Sequence, residues 1–161
     1  MRVLGIDPGS RRTGWGVEQL EGTRLRHIGA GTIAVPEKLA LSKRLRRIHD
    51  ALERVIAEHQ PRAVAVEEIF YAKYANAAIK LGHARGVALL AAEQADLEVH
   101  EYPPAIVKRT VVGRGAADKS QVVRLVMALL ALKEPPEEDA ADALAIAITH
   151  IQASRSKALG R

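Results

Sequence analysis

The chain has 161 residues, enough for one domain with a hydrophobic core of its own. Apolar residues make up 48 % of it and aromatics 3 %, which excludes a disordered chain and leaves the core to Leu, Ile, Val and Ala. It has no cysteine, so disulfides, thiolate metal sites and cysteine nucleophiles are excluded, while a formal charge of +5 permits a nucleic-acid partner without requiring one.

Arg2 to Asp7 reads as a short apolar strand stopped by Pro8 and Gly9. Thr13 to Gln19 reads as a second strand, with Glu21-Gly22 as a hairpin turn. Arg24 to Val35 is a third, with Gly29 and Gly31 suggesting a bend or bulge. Leu41, Leu45, Ile48, Leu52, Val55 and Ile56 recur at helical spacing, which predicts an amphipathic helix over Lys38 to His59, ended by Pro61. Ala63 to Glu67 suits a strand buried on both faces. Asn76 to Ala95 is a second long helix whose latter half is apolar all round, a pattern that predicts cover on more than one side. Glu98 to Tyr102 is a fifth strand, stopped by Pro103-Pro104. A short helix over Ala105 to Val112, a basic loop, a helix over Lys119 to Leu132 and a last helix from Glu138 to about Ser156 follow. The order predicts an α/β fold with one five-stranded mixed sheet, an antiparallel meander of three strands plus two parallel strands, flanked by helices. A single domain over 1–156 with a basic, mobile tail over 157–161 is expected. No signal-peptide pattern opens the chain, and the uncharged run from Ala143 to Ser154 is too short to span a bilayer, so a cytoplasmic protein is expected.

Four carboxylates carry the chemistry. Asp7 closes the first strand and Glu67 the fourth. If those strands lie parallel and adjacent, both acids emerge at one sheet edge, where α/β folds place ligands. Asp139 and Asp142 are three apart on one helix and share a face at the mouth of an apolar stretch. Such a cluster needs a counter-charge, and an all-carboxylate set suits Mg²⁺ or Mn²⁺ better than Zn²⁺. Two such ions can activate a water and stabilise the leaving oxygen in phosphodiester hydrolysis. Each acid alone has a plainer reading: Asp7-Pro8-Gly9 as an ordinary turn, Asp139 and Asp142 as complements to a helix dipole, Glu67-Glu68 as solvated. The joint pattern favours metal-dependent chemistry.

Over nearly its whole length the chain resembles the RuvC family of bacterial Holliday junction resolvases. The resembling segments are Gly5-Ile6-Asp7-Pro8-Gly9 with Thr13-Gly14-Trp15-Gly16, Val66-Glu67-Glu68-Ile69-Phe70, Lys80 to Val87, Val107 to Gly113, Asp118 to Val122 and Asp139 to Ala147. The resemblance implies an RNase H-like fold and a homodimer that nicks four-way DNA junctions symmetrically in recombination and repair. It implies catalytic, metal-binding acids at Asp7, Glu67, Asp139 and Asp142, a junction-probing aromatic at Phe70 and functional cations at Lys108 and Lys119. It also implies Mg²⁺ or Mn²⁺, two per site, T-rich cleavage sites and the RuvA–RuvB branch-migration complex as partner. Two positions depart from the family pattern: Glu68, where many members have an amide, and Tyr74, where many have Asn. They bear on metal geometry and substrate preference, not on the reaction class.

Phe70, Tyr71, Lys73 and Tyr74 interleave aromatics with a cation and suit base stacking and backbone contact. Lys108, Arg109, Arg114 and Lys119 surround a glycine-containing loop and read as phosphate contacts, with Lys119 near the scissile phosphate. Arg11 and Arg12, after the Asp7 turn, are further phosphate candidates. Ala78, Gly82, His83 and Gly86 form a small-residue stripe that reads either as tight packing against the chain's own sheet or, with the family, as a dimer interface. Trp15 is expected in the core. Three rivals remain: an ATP-binding protein of actin-like or sugar-kinase-like fold, a non-enzymatic junction-binding protein, and an RNase H-like nuclease acting on RNA.

Overall fold

The structure, a computed structural model, describes residues 1–68, 75–113, 118–158 and 160. Strands β1 (Arg2–Asp7), β2 (Arg12–Glu21) and β3 (Arg24–Ala34) form the antiparallel meander, turning at Gly22 with φ +60°. Helix α1 (Leu41–His59) crosses over to β4 (Ala63–Glu67), which pairs parallel with β1. Helix α2 (Ala75–Gln94) leads to β5 (Glu98–Tyr102), parallel to β4. Then come α3 (Pro104–Val112), α4 (Lys119–Leu130) and α5 (Glu138–Ala158). The sheet order is β3-β2-β1-β4-β5, so the mixed sheet expected from the sequence is formed.

Alternation along the strands divides the core between two faces. Val3 and Ala65 point to one face, where Leu144, Ile146, Ile148 and Ile151 of α5 pack with Val107 of α3 and Val126 of α4. Leu4, Ile6, Val64 and Val66 point to the other, under Ile48 and Leu52 of α1 and Ala88 and Ala92 of α2. Each fully buried Leu, Ile or Val contributes about 1.5–3 kcal/mol, which fixes α5 across the strand ends that carry the acids.

The differences from the sequence reading have local causes. Helix α1 begins at Leu41 and not Lys38, because Pro36 and Leu39 close a turn first and Ala40 is extended at ψ 145°. Helix α4 stops at Leu130, where Ala131 turns left-handed at φ 52°. Helix α5 runs on to Ala158, into the segment expected as a tail. The bulge lies between Val17 and Glu18, where β3 skips Ile28 next to Gly29. Gly29 and Gly31 also seat the ring of Trp15, which is half-buried beside His59 (ring centroids 5.3 Å apart) and not central in the core. No helix among the described residues is long and apolar enough to cross a membrane.

Candidate active site

Parallel pairing of β1 and β4 puts Ile6 opposite Val66, so the next residues, Asp7 and Glu67, leave the sheet side by side. The head of α5 lies across this edge. Its close approach depends on glycine: a β-carbon at Gly5 would sit 2.0 Å from the Ala143 carbonyl oxygen, and one at Gly16 would sit 2.6 Å from the Leu144 side chain. With the α5 backbone seated that low, Asp139 and Asp142 in its first turns come over Asp7. The four acids from distant parts of the chain therefore meet at one edge.

Their electrostatics reflect the crowding. Burial pushes the Asp7 carboxyl up to about 8, with the charges of Asp142, Glu67 and Asp139 adding to the rise and Lys119 opposing it. Burial also raises Glu67, helped by Asp142, and raises Asp142, helped by Glu138 and Asp139. Lys108 and Lys119 pull both back down. Near neutral pH Asp7 therefore retains a proton unless a cation takes its place. The donors are all oxygens, as Mg²⁺ and Mn²⁺ prefer. Among the described residues the one group of three donors within 4.8 Å of one another is His49, Asp50 and Glu53 on α1, which the sequence reading passed over although His49 and Glu53 are one helical turn apart. No three of the four acids meet that spacing. A pair of ions about 3.5–4 Å from each other needs a broader donor set than a single ion.

Lys119 opens α4 under a capping box in which Asp118 accepts from the Gln121 backbone N–H. Its ammonium pairs with Glu138 and acts on Asp7, Glu67 and Asp142. Lys108, half-buried on α3, acts on Glu67 and Asp142. Arg109 is exposed in the last turn of α3, and its charge does not figure among the influences on these acids. Arg11 and Arg12 differ from expectation. Arg11 pairs with Glu37, and Arg12 donates from Nε to Asp139 Oδ2 and from Nη2 to Glu137 Oε2, each at 2.6 Å. Glu137 pairs with Arg12 and Glu138 with Lys119, so two more acids at the head of α5 hold cations of the site. Phe70, Tyr71, Lys73, Tyr74 and Arg114 lie outside the described residues.

The small-residue stripe of α2 does not pack against the sheet. A β-carbon at Gly82 or Gly86 would meet nothing within 4 Å. They line an open groove with Ile79, His83, Leu90 and Leu45 of α1, while Ala78 is half-buried. Ile79 is 57 % and Leu90 52 % exposed, so the described residues leave one side of α2 uncovered, contrary to its all-round apolar pattern.

Comparison with known proteins gives a consistent result. The family model described as crossover junction endodeoxyribonuclease RuvC matches residues 3–150. A crossover junction endodeoxyribonuclease RuvC of Sorangium cellulosum is 55 % identical over 154 residues, 96 % of this chain and 86 % of that one. Its counterpart in Rhodopseudomonas palustris is 52 % identical over 164 residues, 99 % of this chain and 94 % of that one. The structure of Thermus thermophilus RuvC in complex with a Holliday junction substrate superposes with a TM-score of 0.92 at 38 % identity, covering 98 % of this chain and 96 % of that one.

Proposed function

The chain belongs to the RuvC family of crossover junction endodeoxyribonucleases, and from that premise we propose that Asp7, Glu67, Asp139 and Asp142 hold two Mg²⁺ or Mn²⁺ ions with which it resolves four-way DNA junctions. The observation that carries this is the meeting of four acids at one strand edge, with Asp7 raised to about 8. A purely architectural junction binder would gain nothing from that repulsion, whereas a metal-dependent nuclease needs it.

Two bound divalent ions would activate a water for in-line attack and stabilise the leaving oxygen. The P–O3′ bond breaks, leaving a 3′-hydroxyl and a 5′-phosphate. Asp7, the most deeply buried of the four acids and the one raised by all three others, would hold the ions together with Glu67, Asp139 and Asp142. Lys119 offers an ammonium that offsets charge on the scissile phosphate, and Lys108 supports it from α3. Both act on the acids already, so both stand within reach of a phosphate held there. Phe70, Tyr71, Lys73 and Tyr74 serve the junction centre by stacking and backbone contact, and Arg109 and Arg114 extend the phosphate track.

A second copy of the chain covers the groove of α2. Ala78, Gly82, His83 and Gly86 let its backbone come close, and Ile79 and Leu90 supply apolar area. A two-fold dimer matches two sites to two strands of a symmetric junction. The family pattern adds RuvA–RuvB as partner and the cytoplasm as location.

Cleavage of a synthetic four-way junction with Mg²⁺ or Mn²⁺ tests the proposal. Wild type should give paired, ligatable nicks, and Asp7→Asn should bind the junction without cutting. Normal cutting by Asp7→Asn would remove Asp7 from the site.

A further inference from the structure

Arg12 is the first residue of β2, and its guanidinium spans Asp139 and Glu137 at the head of α5 with two 2.6 Å bonds. Its side chain is half exposed, while that of Asp139 is 28 % exposed. An ion pair this open adds little to stability. What the fork does add is geometry, because a planar guanidinium bonded through Nε and Nη2 allows few orientations of the carboxylates it holds.

The segment carrying Arg12 is itself held firmly. Thr13 is fully buried, and its hydroxyl donates to the Gly9 carbonyl at 2.8 Å and accepts from the Gly9 N–H at 3.3 Å. That closes the loop between Asp7 and β2 on itself. One residue further on, Gly14 lies against the Asp139 backbone. Arg12 thus stands on a short bridge whose one end is tied to the turn after Asp7 and whose other end touches Asp139. Its side chain ties the start of β2 to the head of α5.

We propose that Arg12 is a positioning residue for Asp139: it occupies Oδ2, leaves Oδ1 as the oxygen for a cation, and sets the charge that the site presents to that cation. This goes beyond the phosphate contact that its place after the Asp7 turn suggested, and it rests on Asp139 being a metal ligand. Two consequences separate. Loss of the positive charge makes the acid cluster more attractive to a divalent ion. Loss of the fork lets Asp139 rotate and misplaces what it holds, which slows the chemical step.

The test compares Arg12→Gln, Arg12→Lys and Asp139→Asn with wild type. Three quantities are measured: Mn²⁺ binding to the DNA-free protein by electron paramagnetic resonance, four-way junction affinity in EDTA, and the single-turnover cleavage rate with Mg²⁺. Arg12→Gln should bind Mn²⁺ severalfold more tightly, bind the junction within about twofold of wild type, and cut about tenfold more slowly, a barrier change of about 1.4 kcal/mol. Arg12→Lys keeps the charge but not the fork, so Mn²⁺ affinity should return to wild type while the rate stays low. A fall in junction affinity that accounts for the whole rate loss of Arg12→Gln would overturn the proposal in favour of phosphate contact. Wild-type Mn²⁺ affinity and rate in Arg12→Gln would overturn it outright. Asp139→Asn must lose cleavage; if it cuts normally, the assignment of the acids fails first, whatever Arg12 does.

Discussion

Gly14 lies so close to Asp139 that a β-carbon added to Gly14 would sit 1.9 Å from the Asp139 carbonyl oxygen. No side chain can be accommodated there without lifting the head of α5, because the obstacle is backbone on both sides. Gly14→Ala should therefore lower stability by about 1–3 kcal/mol, the usual range for overpacking, and should slow junction cleavage by more than the lost stability explains, since the displaced residue is one of the four acids. Thermal melts and single-turnover cleavage of the folded variant check this. A variant that melts lower yet cuts at the wild-type rate would show that the height of α5 over β2 does not set the geometry of the acids.

The raised pKa of Asp7 makes a second, less obvious prediction. In the unfolded chain its carboxyl titrates near 3.8, and in the metal-free fold near 8. Between those values the folded state holds a proton that the unfolded state has released, so the contribution of Asp7 to stability in EDTA should fall as pH rises from about 4 to about 8. Asp7→Asn removes the ionisable group and should be more stable than wild type at pH 8 in EDTA, by roughly 1–3 kcal/mol after discounting the coupling to its neighbours. Mg²⁺ or Mn²⁺ should restore wild type towards the variant and leave the variant little changed. Denaturant melts at several pH values, with and without metal, measure both effects. A wild type and an Asp7→Asn protein of equal stability at pH 8 in EDTA would mean that Asp7 is not held against its charge.

Much of this site was legible in the chain before folding. Pro8-Gly9 stops β1 immediately after Asp7, and Ala63 to Glu67 is too apolar and too short to be anything but an inner strand, so both acids could be placed at strand ends. The apolar run after Asp142 announced a buried helix with acids at its mouth. What was not legible depends on contacts between distant segments. Arg12 meets Asp139 across 127 positions, and nothing in either neighbourhood selects that pairing over phosphate contact. Gly14 and Gly16 look like ordinary strand glycines until α5 is laid over them. The apolar latter half of α2 predicted cover on several sides, and the described residues leave one side open, because a sequence pattern does not say where the cover comes from.

His150 supplies a prediction away from the acids. It is 4 % exposed on α5, with Nδ1 2.9 Å from the Tyr102 hydroxyl, Nε2 3.3 Å from the Ser154 hydroxyl, and its ring stacked on His100 at 4.1 Å. Burial, and then the charge of His100, lower its pKa from 6.5 to about 4. In this window the unfolded chain binds a proton that the fold refuses, so the contribution of His150 to stability is complete above about pH 6.5 and declines as pH falls towards 4. The loss is on the order of 2 kcal/mol. His150→Gln, which keeps polar contacts without titrating, should flatten this acid limb. An unchanged limb in that variant would assign it to other groups.

Ile79 and Leu90 project from α2 on either side of Gly82 and Gly86, and together with Leu45 they make an apolar groove that the described residues leave uncovered. Burying two such side chains contributes about 1.5–3 kcal/mol each, and in a two-fold dimer every contact is made twice. A charge placed there is desolvated twice for the same reason. Ile79→Glu and Leu90→Glu should thus break the proposed dimer into monomers in light scattering, without lowering the melting temperature of the single chain. The acids stand on the strand edge and not on this face, so each monomer should keep an intact site. It should nick one strand of a junction and lose the coordination between two. Cleavage of a plasmid-borne junction separates these outcomes: wild type should yield linear product in one binding event, and the Glu variants should stop at nicked circles. Linear product from a variant shown to be monomeric would detach paired cutting from this face of α2.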